Sequence, residues 1–126
     1  MKKRSLLLSF LLLLLIAYIA FGAWISHDTK IILEEAMKKD ADMNYMSPSV
    51  FGKINPVERG MTSDAFEYHS SSHHIGFGLP LHYFAGAKVY VTQKYDDDDF
   101  GFREPVQLTL KLKSGKWYAT KVSIQP

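Results

Sequence analysis

The sequence predicts an α+β fold: an N-terminal transmembrane helix, then one amphipathic helix packed on a three- to four-stranded antiparallel sheet. Three observations carry this prediction. Lys2, Lys3 and Arg4 precede an uncharged apolar run from Leu6 to Ile25. An apolar stripe at helical spacing follows at Ile32, Leu33, Ala36 and Met37. Near the C-terminus Val106, Leu108, Leu110 and Leu112 alternate with Gln107, Thr109, Lys111 and Lys113, as a half-buried strand demands.

The apolar run, broken only by Ser9 and Gly22, is hydrophobic all round. Twenty helical residues rise about 30 Å, the thickness of a bilayer's hydrocarbon core. The adjacent cations favour a cytoplasmic start, so residues 1–4 form a cytoplasmic basic end, 5–25 a transmembrane signal-anchor, and 27–126 a small extracytoplasmic domain. A cleaved secretory signal competes with the anchor, since Ala20 and Gly22 would suit cleavage before Ala23. The apolar run continues through Ala23-Trp24-Ile25, and Trp24 falls where an interfacial aromatic belong, so the anchor is preferred.

The chain has 126 residues and no cysteine, which leaves room for one small domain without disulfides and suits a bacterial envelope protein. The formal net charge of +2 is a topology signal. Without Lys2, Lys3 and Arg4, the remaining chain holds 12 Lys and Arg against 13 Asp and Glu. That balance gives no global footprint for nucleic acid.

Asp28 is a candidate N-cap for the amphipathic helix, Glu34 and Lys38 form an i,i+4 pair, and the helix frays beyond Asp40. Whether this helix continues from the membrane segment or breaks near Ser26–Asp28 is open at this level. Pro48, Gly52, Pro56 and Gly60 impose an irregular connector, with a short extended piece around Val50–Ile54. Ala65–His69 alternates as a first strand and ends in the Ser70–Ser72 run. Gly76-Phe77-Gly78 is a flexible turn before Leu79–Phe84, not a phosphate cradle. Lys88–Tyr95 is a further strand, joined to the terminal hairpin by a linker at Asp96–Pro105.

Ser114-Gly115 marks the hairpin turn. A two-residue loop pairs Leu112 with Trp117, but then sets Lys121 opposite the apolar Leu108. A three-residue loop pairs Leu110 with Tyr118 and Val106 with Val122, and is preferred. In element order and in this Gly115-Lys116-Trp117 hairpin, the chain resembles small cystatin-like and NTF2-like domains. That resemblance implies a helix covering an antiparallel sheet and no catalytic residues to carry over, because the fold hosts many functions.

Four histidines, His69, His73, His74 and His82, fall close together, which raises a Zn²⁺ or Cu²⁺ site with His69, His73 and His74 as ligands. Their spacing matches no helical ligand pair and no cysteine completes a set, so a solvated loop without metal or cofactor is the preferred reading. Asp96, Asp97, Asp98 and Asp99 with Phe100 and Phe102 form the other compositional extreme. The spacing fails the calcium-loop pattern. It suits either a solvated connector or a docking loop, in which the carboxylates steer a cationic partner and the two rings supply apolar anchors. No nucleophile elbow occurs, and a catalytic cysteine is excluded. Aromatics at Tyr83, Phe84, Tyr90, Tyr95, Trp117 and Tyr118 belong to the core and sheet faces.

The expectation is a single-pass membrane protein with a non-enzymatic interaction domain. Its partners are the lipid bilayer and another envelope protein or surface polymer, not nucleic acid. The alternatives are a metal- or pH-responsive envelope sensor using the histidines, or a cleaved secreted ligand-binding protein.

Overall fold

The computed structural model describes residues 2–76, 79–82, 86–98 and 100–124. The turn residues Phe77 and Gly78, the aromatics Tyr83 and Phe84, and Asp99 of the acidic run lie outside them.

Lys2–Ala36 form one continuous 35-residue helix, α1, long and apolar enough to cross a membrane. No Gly or Pro falls between Ala23 and Ala36, so nothing interrupts the backbone ladder. Asp28 is therefore not an N-cap. It is buried in mid-helix, and its Oδ2 accepts a hydrogen bond from the Trp117 backbone N–H at 3.2 Å. α1 also stops at Ala36 rather than beyond Asp40. Its last turn tightens through Met37 and Lys38 N–H groups donating to the Glu34 and Glu35 carbonyls. Buried Asn55 then donates from Nδ2 to the Ala36 and Lys38 carbonyls at 3.0 and 3.1 Å, capping the end. Because Lys38 has left the helix, it pairs with Glu35 at 2.8 Å and not with Glu34.

The extended piece expected at Val50–Ile54 is a helix, α2, at Pro48–Ile54. Ser47 supplies the cap, its Oγ accepting from the Val50 N–H at 3.2 Å, and Pro48 opens the first turn. Proline punctuation marks a helix start here, not an interruption. Ser47→Ala is expected to lower stability by about 1 kcal/mol, read as a shift in denaturation midpoint.

Ala65–His69 is not a strand. Phe66 is buried and Glu67 exposed as alternation requires, but the segment forms no ladder, and the His69 N–H donates to the Tyr95 hydroxyl at 3.0 Å. Ser70–Ser72 is a single 3₁₀ turn.

The sheet has five strands, all antiparallel: β1 (His73–Ile75), β2 (Leu79–His82), β3 (Gly86–Asp96), β4 (Gly101–Lys113) and β5 (Lys116–Ile124). β1 and β2 share one edge of β3, β1 along Gln93–Tyr95 and β2 along Ala87–Tyr90. The region expected as a linker, Asp96–Pro105, is mostly strand, and only residues 97–100 connect β3 to β4. On the far edge, Ala119 of β5 exchanges backbone bonds with Tyr45 and Ser47 at 2.8 and 3.0 Å.

The terminal hairpin takes the two-residue loop, not the three-residue one. Ser114 and Gly115 both have positive φ, 52° and 78°, and Leu112 pairs with Trp117. A bulge between Thr109 and Leu110 removes the clash of register, so that Leu108 faces Val122 rather than Lys121. Trp117, Ala119 and Val122 consequently all point inward. They pack with Val89, Val91, Val106 and Leu108 against Ile25, Ile32, Leu33 and Ala36 of α1 and Val50 and Ile54 of α2. A second cluster, Met37, Phe66 and Tyr95, fills the end of the sheet where α1 terminates.

Candidate functional site

The histidines separate. His73 is buried on the inward face of β1, whereas His69 and the outward-facing His74 are exposed. His82 lies on β2 against α1, its ring stacked 4.0 Å from Tyr18. Among the described residues no group of three or more His, Asp or Glu side chains could hold a metal ion. The expected trio of His69, His73 and His74 does not converge.

His73 belongs instead to a buried polar chain. Its Nδ1 lies 2.8 Å from the Tyr68 hydroxyl and its Nε2 2.9 Å from Gln93 Oε1. Gln93 Nε2 donates to Glu104 Oε1 at 3.2 Å, and Arg59 holds both Glu104 oxygens at 2.7 and 3.0 Å. Because an ionised carboxylate only accepts, the Gln93 amide must turn its NH₂ toward Glu104 and its oxygen toward His73. The network thereby assigns the proton to His73 Nε2 and leaves Nδ1 to accept from Tyr68. Burial lowers the His73 pKa, opposed by the Gln93 hydrogen bond and the charge of Glu34. Burial likewise raises the phenols of Tyr68 and Tyr95, keeping both protonated. The arrangement holds a neutral histidine in place at ordinary pH.

The acidic loop is built into this end of the fold. Asp97 accepts from the Phe100 N–H at 3.0 Å and from the Tyr95 hydroxyl at 3.0 Å. Phe100 and Phe102 are half-buried beside Phe66 and Tyr95, so part of each ring is committed to this core. Asp96 and Asp98 are exposed. A polar groove of about 330 Å³, lined in part by Ser63, Glu67, His69 and Asp97, opens beside the loop.

The outward face of the sheet carries a different signal. Register places His74 opposite Lys94, and Lys94 opposite Arg103, a row of basic side chains across three strands. All three are exposed, and neither Lys94 nor Arg103 has an ion-pair partner among the described residues. Lys88, Lys111 and Lys121 are exposed on the same face. Like charges directly opposite one another in a sheet are destabilising by a few tenths to about 1 kcal/mol. Folding alone gives no reason to place them so.

Sequence reasoning missed Arg59, Gln93 and Glu104, and the pairing of Lys94 with Arg103. Gln93 and Glu104 carried a signal, as polar residues at inward positions of alternating strands. The basic row carried none, since it exists only once β3 and β4 are in register. No family model matches the chain, and no characterised protein matches it significantly.

Proposed function

We propose that the chain is a single-pass membrane protein whose extracytoplasmic domain is a non-enzymatic docking module for an anionic envelope partner, a surface polymer or the acidic face of another protein. The observation that carries this reading is the row His74–Lys94–Arg103 on the exposed sheet face, where Lys94 and Arg103 form no ion pair among the described residues. Lys94 and Arg103 directly opposite one another raise the local positive potential and steer an oppositely charged partner, with Asp96 the next outward residue along β3. The basic N-terminal end before the apolar helix supports an orientation with the sheet outside. Retention of the anchor is supported by Gly22 and Ile25, which are buried against the domain, so cleavage before Ala23 would cut into the packed part of α1. The docking surface moves from the acidic loop to the sheet because Phe100 and Phe102 are each partly committed to the core.

The test is a titration of the full chain, held in uncharged-lipid nanodiscs, with poly(glycerol phosphate). Saturable binding that weakens with salt is expected, with about a tenfold or greater loss in Lys94→Glu/Arg103→Glu. Unchanged binding in that variant, or none in the wild type, removes the proposal. Asp96→Ser/Asp98→Ser should bind at least as tightly as the wild type, because it removes negative charge beside the row.

A second reading has its own support. The buried neutral His73 gives the domain a pH-sensitive element, which suits an envelope sensor responding to acid.

A further inference from the structure

The domain begins to touch α1 well before the apolar run ends. His82 of β2 reaches the Tyr18 carbonyl with Nε2 at 3.0 Å, and a Cβ added at Gly22 would meet Pro80 at 3.3 Å. The apolar stretch of α1 free of such contacts among the described residues, Leu6 to Ala17, is only about 18 Å long at helical rise. A bilayer's hydrocarbon core is about 30 Å thick, and the apolar run reaches that length only by including Ile25. Tyr18 lies about 10 Å below Ile25 along the axis. A span that matches the bilayer therefore draws β2 down to the membrane surface.

β2 is composed for that position. Pro80 and His82 face α1, while Leu79 and Leu81 point away from it and remain 54% and 50% exposed. Exposed leucines on an edge strand invert the usual protection of sheet edges by charge. From Ile75 to Ala87 the sequence contains no Asp, Glu, Lys or Arg. On the same face Leu79 pairs with exposed Tyr90 and Leu81 with Lys88, residue types that settle at headgroup level. An apolar groove of about 480 Å³, lined by Tyr18, Ile19, Gly22, Ala23, Ser26 and Pro80, lies between helix and strand. An open sheet edge cannot lie in the hydrocarbon centre, where its backbone would lose hydrogen bonds, and this bounds the depth.

We propose that β2 is a membrane-contacting edge: Leu79 and Leu81 enter the acyl boundary of the leaflet from which α1 emerges, with Lys88 and Tyr90 at the headgroups. The occupant of this surface is lipid. The proposal rests on the reading of α1 as a span, and the experiment separates the two.

The chain has no cysteine, so single nitroxide labels can be placed without background. Leu13→Cys, Leu79→Cys, Leu81→Cys and Asp64→Cys are made in the full chain and reconstituted in phosphatidylcholine vesicles containing phosphatidylglycerol. Leu79 and Leu81 are half exposed and outside the buried core, so the labels leave the packing intact. Power saturation then compares collision with oxygen, which partitions into lipid, and with a water-soluble nickel chelate. Labels at 13, 79 and 81 are expected to favour oxygen, and the label at 64 to favour nickel. If 13 favours oxygen while 79 and 81 favour nickel, the span stands and the membrane-contacting edge is overturned. If 13 also favours nickel, the span reading fails and takes the proposal with it.

Discussion

Arg59→Ala is expected to destabilise the domain by about 3 kcal/mol or more, because it strands a buried carboxylate. Glu104 is 7% exposed, and both of its oxygens are held by Arg59. Its other partner, Gln93 Nε2 at 3.2 Å, is a neutral donor and cannot balance the charge. Replacing both members, as Arg59→Met with Glu104→Met, should cost less than the single change, since no unpaired charge then remains. Denaturation midpoints of the three proteins, followed by tryptophan fluorescence in detergent, check this. Equal effects of the single and double variants would mean that the pair acts through packing alone.

Acid should weaken the fold through His73. Its folded pKa lies below the ordinary value because the ring is buried. Above pH of about 6.5, folded and unfolded chains both hold the ring neutral, and the full stability is present. As pH falls below that point, the unfolded chain takes up a proton that the folded chain does not. Stability then drops, by at most about 1.4 kcal/mol per pH unit, until the folded-state pKa is reached. Carboxylate titration takes over at lower pH, so the informative window is about pH 5 to 6.5. Midpoints of the wild type and His73→Gln across this window should converge with acid. Parallel curves would show that His73 does not carry the dependence. Exposed His27, His69 and His74 are present in both proteins, so the difference isolates the buried ring.

What was legible in the sequence follows from how local each signal is. The long apolar helix, the strand pattern of Val106–Leu112 and the turn at Ser114-Gly115 depend on neighbours a few residues apart, and all three stand in the structure. Asp28 misled because a carboxylate before a helical stripe looks like a cap. Its partner, the Trp117 N–H, is far away in sequence. The hairpin register failed for a related reason: a bulge at Thr109/Leu110 absorbs the one-residue mismatch, and no residue type announces a bulge. Ala65–His69 had strand alternation but no strand to pair with. The acidic run read as a solvated connector or docking loop, whereas Asp97 uses both oxygens to tie the tip to Tyr95 and Phe100. The polar chain from Tyr68 to Arg59 draws on residues far apart in sequence, so only the misplaced polarity of Gln93 and Glu104 pointed to it.

The unbroken course of α1 also decides how the domain can move. A swivel would need a weak joint between the apolar half and the half bearing Ile25, Ile32 and Leu33, yet the helical ladder runs through both. Rotation of the apolar half about its axis therefore turns the sheet by the same angle, and tilting that half swings the distal aromatic end along an arc. The molecule behaves as a stiff lever, not a tethered float. With α1 as the proposed span, its reach is short and its aim is set by the lipid around it. A change in bilayer thickness that alters helix tilt is thereby converted into a change in the direction that the basic row faces.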